Sequence, residues 1–210
     1  MRTPPPGLRE RKKQATREAL REAALRLAVE RGPDRVRVED IAEAAGVSPR
    51  TYNNYFASRE QAIVAAVTAE REARVAAVVA ARGNLRLADA VVEAIVEQYA
   101  EPGERGRDAL LLITTHPALR EAFVGSTADI ENPLAAAIAD RLRGKGRGDD
   151  VCEFTARVLA ACIAAAVRIA LEQWLTATSA PGGLVVVSGS LPDLLRAALA
   201  PLTPALNASE

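Results

Sequence analysis

Arg50, Thr51, Asn53 and Asn54 are the residues of this chain best equipped for recognition chemistry, crowded into five positions directly after Ser48-Pro49. Arginine presents a planar fork of donors that pairs bidentately with the edge of a guanine. Asparagine can do the same for adenine, and threonine offers a methyl and a hydroxyl. Covalent chemistry is poorly provided for. The chain has one histidine, His116, and two cysteines, Cys152 and Cys162, at a spacing that fits no zinc pattern. No Gly-rich phosphate loop is visible. Nothing calls for a metal or a cofactor, and an all-helical enzyme is poorly supported.

To read a duplex, such side chains must stand outward on a short helix braced from behind, and the surrounding sequence supplies the brace. Residues 1–7 (MRTPPPG) read as disordered or extended, because three prolines forbid helix. A long helix follows from about Leu8 to Arg31, with Leu20, Ala23, Ala24 and Leu27 on one stripe, and Gly32-Pro33 stops it. Val38 to Ala45 reads as a second helix, with Glu39 and Asp40 at its positive end. Gly46-Val47-Ser48 turns the chain, a place where glycine's tolerance of positive φ is useful. Ser48 caps the third helix and Pro49 suits its first position.

That third helix is expected over Pro49 to Phe56. Ile41, Ala42 and Ala45 should then meet Val47, Tyr52 and Phe56 around a small core, leaving Arg50, Thr51, Asn53 and Asn54 outward as a helix-turn-helix requires. Three of the chain's seven aromatics fall in residues 52–56, so the unit is densely anchored. On these residues alone a structural helix pair without a nucleic-acid role remains open.

Apolar residues make up 49 %, charged residues 26 % and aromatics 3 %. This mixture supports a buried core and, with alanine and leucine recurring and few period-2 runs, predicts an all-α protein. Formal charge is zero but unevenly spread: residues 1–60 carry 13 Lys+Arg against 9 Asp+Glu, residues 61–210 carry 14 against 18. A polyanion-binding end and a plain solvated face both fit that asymmetry. The cysteines lie in an apolar helical stretch and read as buried, reduced thiols of a cytoplasmic protein. No signal peptide is visible. The longest apolar run, Val158 to Leu171, is interrupted by Arg168 and spans 14 residues, short of the ~20 a membrane span takes. A soluble protein without membrane contact is expected.

Past Ser58, a second cap, a fourth helix runs from Arg59 to about Arg82. Further helices are separated by breaks at Gly83-Asn84, Pro102-Gly103, His116-Pro117, Asn132-Pro133 and Gly144 to Gly148. Residues 151–178 make the most apolar long helix. Ser179 to Gly189 reads as a loop and Leu191 to Leu199 as a last amphipathic helix. A helix as apolar as Val158 to Leu171 is buried on more than one side. A partner chain and the interior of a monomer are both ways to achieve that.

The string IAEAAGVSPRTYNNYFASRE, residues 41–60, resembles the TetR family of transcriptional regulators nearly position by position, as does its placement after one long helix. The resemblance implies a helix-turn-helix domain over residues 1–58, and over 59–210 a helical domain for ligand binding and dimerisation. It further implies a homodimeric repressor on a palindromic DNA operator, with helix 4 as lever. Carried over by position, Arg50, Thr51, Asn53 and Asn54 face base edges; Ser48, Tyr55 and Arg59 hold phosphates; Thr16 and Arg17 approach the backbone. Three positions depart from the pattern. Arg37 stands where a threonine cap is common, losing the cap and gaining a phosphate contact. Asn53 replaces a frequent aromatic, and Arg59 a common lysine.

His116 to Leu119 (HPAL), the Asp149-Asp150 helix start and the Ala-rich helix ending in Trp174 resemble the branch with acyl-CoA-like ligand-binding domains, the mycofactocin-regulator type. That branch implies a small apolar or acyl-type effector. Tyr99, Leu111, Leu112, Phe123, Phe154 and Trp174 are then expected pocket linings, with His116 and Arg157 as polar contacts. Each is also readable as ordinary core, and His116 as a cap before Pro117. A sensor of cationic amphiphiles would want more than the four aromatics found here. A helical scaffold would leave Ser48 to Asn54 without a task.

Overall fold

A computed structural model of the chain describes residues 7–100, 104–144, 148–178 and 190–209. The segments expected at residues 1–6, at Pro102-Gly103, at 145–147 and at Ser179 to Gly189 lie outside the described residues. Among those described the chain is helical and forms no strand, in agreement with the all-α reading.

Helix α1, Leu8–Arg31, buries Leu20, Ala23, Ala24, Leu27 and Ala28. It ends where Gly32 takes φ 81° and its N–H bonds the Ala28 carbonyl at 3.0 Å, a backbone state that glycine adopts without a Cβ penalty. A single 3-10 turn, Pro33–Arg35, leads to α2, Val38–Ala44. Arg37, at the cap of α2, has no acceptor in its side chain. Asp40 compensates from inside the helix, its carboxylate accepting the Arg37 N–H at 2.9 Å. Gly46, φ 67°, turns the chain, with Val47 N–H bonded to the Ala42 carbonyl at 2.9 Å.

Helix α3 is Pro49–Tyr52, shorter than the span expected to Phe56. Beyond Tyr52 the ladder tightens: the Asn54 N–H reaches Thr51 and the Tyr55 N–H reaches Tyr52, each three residues back. Helix α4 is Arg59–Ala81. The Ser58 hydroxyl accepts from Gln61 N–H at 3.2 Å, while the Gln61 side chain reaches back to Ala57 N–H at 2.7 Å. One of the helix's four orphan donors and the amide before the cap are bound up this way.

The rest of the chain comprises α5 (Leu87–Ala100), α6 (Glu104–Thr115), α7 (Pro117–Gly125), α8 (Glu131–Arg143), α9 (Asp149–Thr178), α10 (Leu191–Leu199) and α11 (Thr203–Ser209). The break expected at Asn132-Pro133 falls earlier, in a 3-10 turn over Ser126–Ile130. Pro133 sits instead in the first turn of α8, where a missing N–H sacrifices no helix bond. Helix α4 packs on α1 and also on α5, α7 and α8; α9 packs on α8 and α10. One helix therefore belongs to both bodies.

Helix α9 corrects two expectations. The 14-residue apolar run lies inside a longer helix whose 29 residues Asp149–Ala177 are long and apolar enough, by length and composition, to cross a membrane. Within the fold one face, including Ala156, Ala160, Ile163, Val167 and Leu171, is buried. The opposite face carries Val151, Phe154, Val158 and Ile169 into solvent, each at least 46 % exposed. Cys162 lies on that outer face, so only Cys152 is the buried thiol expected.

The far end of α4 is clamped. Arg141 of α8 donates to the carbonyls of Val79 (3.4 Å), Arg82 (3.2 Å) and Leu85 (2.7 Å). Val79 and Arg82 belong to the helix end, where the last carbonyls lack intrahelical partners, and Leu85 lies in the link to α5. Arg82 in turn pairs with Glu93 and Glu97 of α5, both at 2.8 Å; such exposed pairs contribute little. We expect Arg141→Ala to lower unfolding free energy by about 2–4 kcal/mol, since it removes charged donors from partly buried acceptors. The check is the urea midpoint at unchanged m-value. A loss within ~0.5 kcal/mol, ordinary for a surface site, would show that the clamp contributes nothing.

Candidate functional site

The recognition face is built from the cap outward. Ser48, exposed, receives the Thr51 N–H at 3.1 Å on its hydroxyl oxygen. The two hydroxyls are 2.9 Å apart, within hydrogen-bond reach. Thr51 is half-buried and its hydroxyl is occupied locally, whereas Arg50, Asn53 and Asn54 are exposed. Arg50 lies on the regular part of α3; Asn53 and Asn54 lie in the tightened turns after it. Tyr55 is half-buried against the core.

Behind this face, Tyr52 is fully buried and Phe56 almost so, with rings 5.9 Å apart. The Tyr52 hydroxyl donates to the Ser58 carbonyl at 2.8 Å. Burial, reinforced by the charge of Glu60, pushes the phenol far above its ordinary range, so it stays a donor. Ile41 and Ala42 are buried beside it as expected, while Ala45 and Val47 pack partly buried against the same core. The Arg17 guanidinium lies 5.4 Å from the centre of the Phe56 ring, so α1 and the end of the recognition segment meet there. Thr16 returns its hydroxyl to the Lys12 carbonyl at 3.0 Å, and Arg37 is exposed.

Arg59 departs from the expectation. Its guanidinium turns inward and donates to the Asp34 carbonyl (3.1 Å) and the Val36 carbonyl (2.9 Å), and its Nε to Glu60 (2.6 Å). Arg59 therefore ties the first turn of α4 to the link between α1 and α2. Burial raises the Glu60 carboxyl, but bonds from Arg59, from its own backbone N–H and from Ser58 outweigh it and hold the group below its usual range. The lysine common at this position would offer a point charge without the planar fork that spans two carbonyls.

The expected ligand residues divide into two groups. Tyr99 and Phe123 are buried, and Leu112 and Trp174 pack partly buried against the core. His116 closes α6: its Nδ1 lies 3.0 Å from the Leu112 carbonyl and 3.0 Å from the Thr115 hydroxyl, immediately before Pro117. Leu111, Phe154 and Arg157 do not join them. Leu111 is 64 % exposed, Phe154 is 70 % exposed and Arg157 is also exposed. The apolar side chains of α9 serve two opposite faces, which aromatic content alone does not separate.

One residue that sequence reasoning missed sits with the buried pair. The Arg71 guanidinium of α4 lies 4.3 Å from the centre of the Tyr99 ring and 5.2 Å from that of Phe123. A signal existed: Val64, Thr68, Val75 and Val79 recur at helical spacing on α4 and are buried, and position 71 belongs to that stripe.

Comparison with known proteins agrees with this geometry. Residues 20–66 match the family profile described as bacterial regulatory proteins, tetR family, and residues 85–207 match the MftR C-terminal domain. The HTH-type transcriptional regulator TcmR of Streptomyces glaucescens is 32 % identical over 201 residues, covering 91 % of this chain and 87 % of the relative. The crystal structure of Thermus thermophilus FadR, a TetR-family repressor in complex with lauroyl-CoA, superposes with a TM-score of 0.50 at 25 % identity, covering 89 % of this chain and 93 % of that one. The chain thus belongs to the TetR family of bacterial regulatory proteins, as a ligand-responsive DNA-binding transcriptional repressor with an MftR-type C-terminal domain.

Proposed function

We propose that the head, residues 1–58, reads a palindromic operator through Arg50, Asn53 and Asn54, and that an apolar acyl-type effector bound within residues 59–210 releases it. The observation that carries the DNA reading is the outward stance of those three side chains on a segment braced by buried Tyr52 and Phe56. Ser48, Tyr55, Thr16, Arg17 and Arg37 supply phosphate or positioning contacts around them. Thr51, tied to Ser48, presents chiefly its methyl group. Arg59 acts from inside, by holding the head on α4. Work on operator DNA places the protein in the cytoplasm.

Dimerisation is assigned to the outer stripe of α9. Val151, Phe154, Val158, Cys162, Ala165 and Ile169 recur at spacings of three and four, the pattern of a helix seated on a partner helix. A second copy is the occupant that fits. Two recognition segments related by a two-fold axis meet successive major grooves about 34–36 Å apart. For the effector, the MftR-type domain and the lauroyl-CoA held by the FadR relative support an acyl thioester or a similarly long apolar molecule. Tyr99, Leu112, Phe123 and Trp174 are the linings retained from the residues expected.

The defining experiment is selection of an operator from a random duplex pool by the purified protein, followed by footprinting. A two-fold symmetric footprint is expected; absence of any enriched sequence would remove the proposed readout. On the selected operator, Arg50→Ala is expected to cost about 1–3 kcal/mol and to relax preference at one base per half-site. Equal losses on operator and random duplex would show that Arg50 reads no base. Arg59→Ala is expected to weaken operator binding and lower stability by about 2–4 kcal/mol. The slope of log K against log salt should stay unchanged, because no phosphate contact is lost; a slope shallower by about 0.9 would put Arg59 on the DNA after all. In sedimentation the wild type should run near twice 22.2 kDa, and the double variant Phe154→Glu/Ile169→Glu as a monomer. A variant that remains dimeric would move the interface off α9.

A further inference from the structure

The end of α4 farthest from the head is held by one side chain from another helix. Arg141, in the last turn of α8, donates through Nη1 to the carbonyls of Val79 (3.4 Å) and Arg82 (3.2 Å). Through Nη2 it donates to the carbonyl of Leu85 (2.7 Å). The acceptors lie in the last turn of α4, at its cap and in the link to α5, so one guanidinium spans the end of the helix and its exit. Only a planar fork of donors can hold three carbonyls at fixed angles; a lysine offers a point charge on a flexible stem. Helix α8 also packs on α9, whose outer stripe is assigned to the partner copy. Arg141 therefore joins the lever to the side of the body on which the dimer is proposed to form.

Slack at that point is magnified at the other end. The 23 residues of α4 span about 35 Å, so a rotation of ~5° about the clamped end carries the first turn by about 3 Å. One base pair rises by ~3.4 Å. Apolar packing between helices is non-directional and allows small sliding motions. Hydrogen bonds to carbonyls are directional and weaken steeply when misaligned. At the head end, Tyr52 and Arg59 tie the recognition segment and the α1–α2 link to the start of α4. A change in the α4 angle thus moves Arg50, Asn53 and Asn54 with it. We propose that Arg141 is a positioning residue for operator recognition: by fixing the angle at which α4 leaves the body, it sets the half-site spacing that the dimer accepts. This rests on the reading of the protein as a two-fold dimer on a palindrome, and names the residue that makes its spacing narrow.

The test uses the whole chain and the selected operator, with two further duplexes in which one base pair is inserted or deleted midway between the half-sites. Each change moves the half-sites by ~3.4 Å and turns one against the other by about 34–36°. Wild type is expected to bind either altered duplex about tenfold or more weakly, the scale of one mismatched base pair. In Arg141→Gln the ratio of operator affinity to altered-duplex affinity should fall by about fivefold, the net scale of one hydrogen bond. Arg141→Lys, which keeps the charge and loses the fork, should show a smaller fall of the same kind, and it carries the comparison alone if the Gln variant does not fold. A variant that is only destabilised holds less folded protein and loses affinity for all three duplexes in one proportion. An unchanged or larger ratio therefore overturns the proposal, makes Arg141 a stabilising clamp and leaves the two-fold reading standing. A wild type indifferent to spacing overturns the two-fold reading itself, and this inference with it.

Discussion

The hydrogen bond from the buried Tyr52 hydroxyl to the Ser58 carbonyl, 2.8 Å long, is the constraint on which the rest of this molecule leans. A recognition segment of four helical residues has no stability of its own, since a helix that short does not repay its nucleation. Its orientation is borrowed. Tyr52 supplies both halves of the loan: its ring lies buried in the core 5.9 Å from that of Phe56, and its hydroxyl fixes the turn that begins α4. Arg59 continues the same stitching one residue later, onto the carbonyls of Asp34 and Val36. The outward stance of Arg50, Asn53 and Asn54, on which the proposed base reading depends, exists only because the residues behind them are held in this way.

Both ends of α4 are consequently tied to backbone carbonyls by arginine, Arg59 at its start and Arg141, reaching from α8, at its finish. Such a helix, pinned at two ends, is the element through which the proposed effector would act on the head. Helix α9 has the complementary problem. With apolar side chains on opposite faces, it satisfies one side against α8 and α10 and leaves the other for a partner. A length and composition that would suit a membrane also suit the proposed dimer, in which a second copy covers the outer face.

Much of this was legible before any coordinates. Leu20, Ala23, Ala24 and Leu27 form the buried stripe of α1 that their spacing predicts, and Gly32 and Gly46 take the positive φ their positions require. Ser48 and Ser58 cap where their neighbours say they should. What failed has physical causes. The end of α3 was placed too late because Asn53 to Tyr55 are compatible with helix, and the choice of tight turns there is made by Tyr52 and Phe56 seeking the core. The family pattern puts Arg59 on phosphate, and only the fold shows backbone carbonyls within its reach. Leu111 and Phe154 were taken for pocket linings because hydrophobicity marks burial without saying against what. Arg71 is inconspicuous in the sequence because it lies in the charged run Glu70 to Arg74, and only the two rings against it single it out.

The energetic scale of regulation follows from this construction. An effector shifts the balance between two lever positions only by the difference in its affinity for them, typically 1–3 kcal/mol in allosteric proteins. The polar contacts holding α4 to the head, carbonyl bonds from Arg59 and Tyr52 and a cap, are individually of that same size, and they stand beside the packing of α4 on α1. The hydrophobic packing within the head, with Leu20, Ile41, Tyr52 and Phe56 at or near zero exposure, sums to considerably more at roughly 1.5–3 kcal/mol per buried large side chain. On the proposed release, a ligand acting on α4 has only to re-aim the head, not to unfold it. The proposed dimer needs no more than that: two intact recognition segments at the wrong separation cannot occupy successive grooves together, and the loss of simultaneous contact would release the operator.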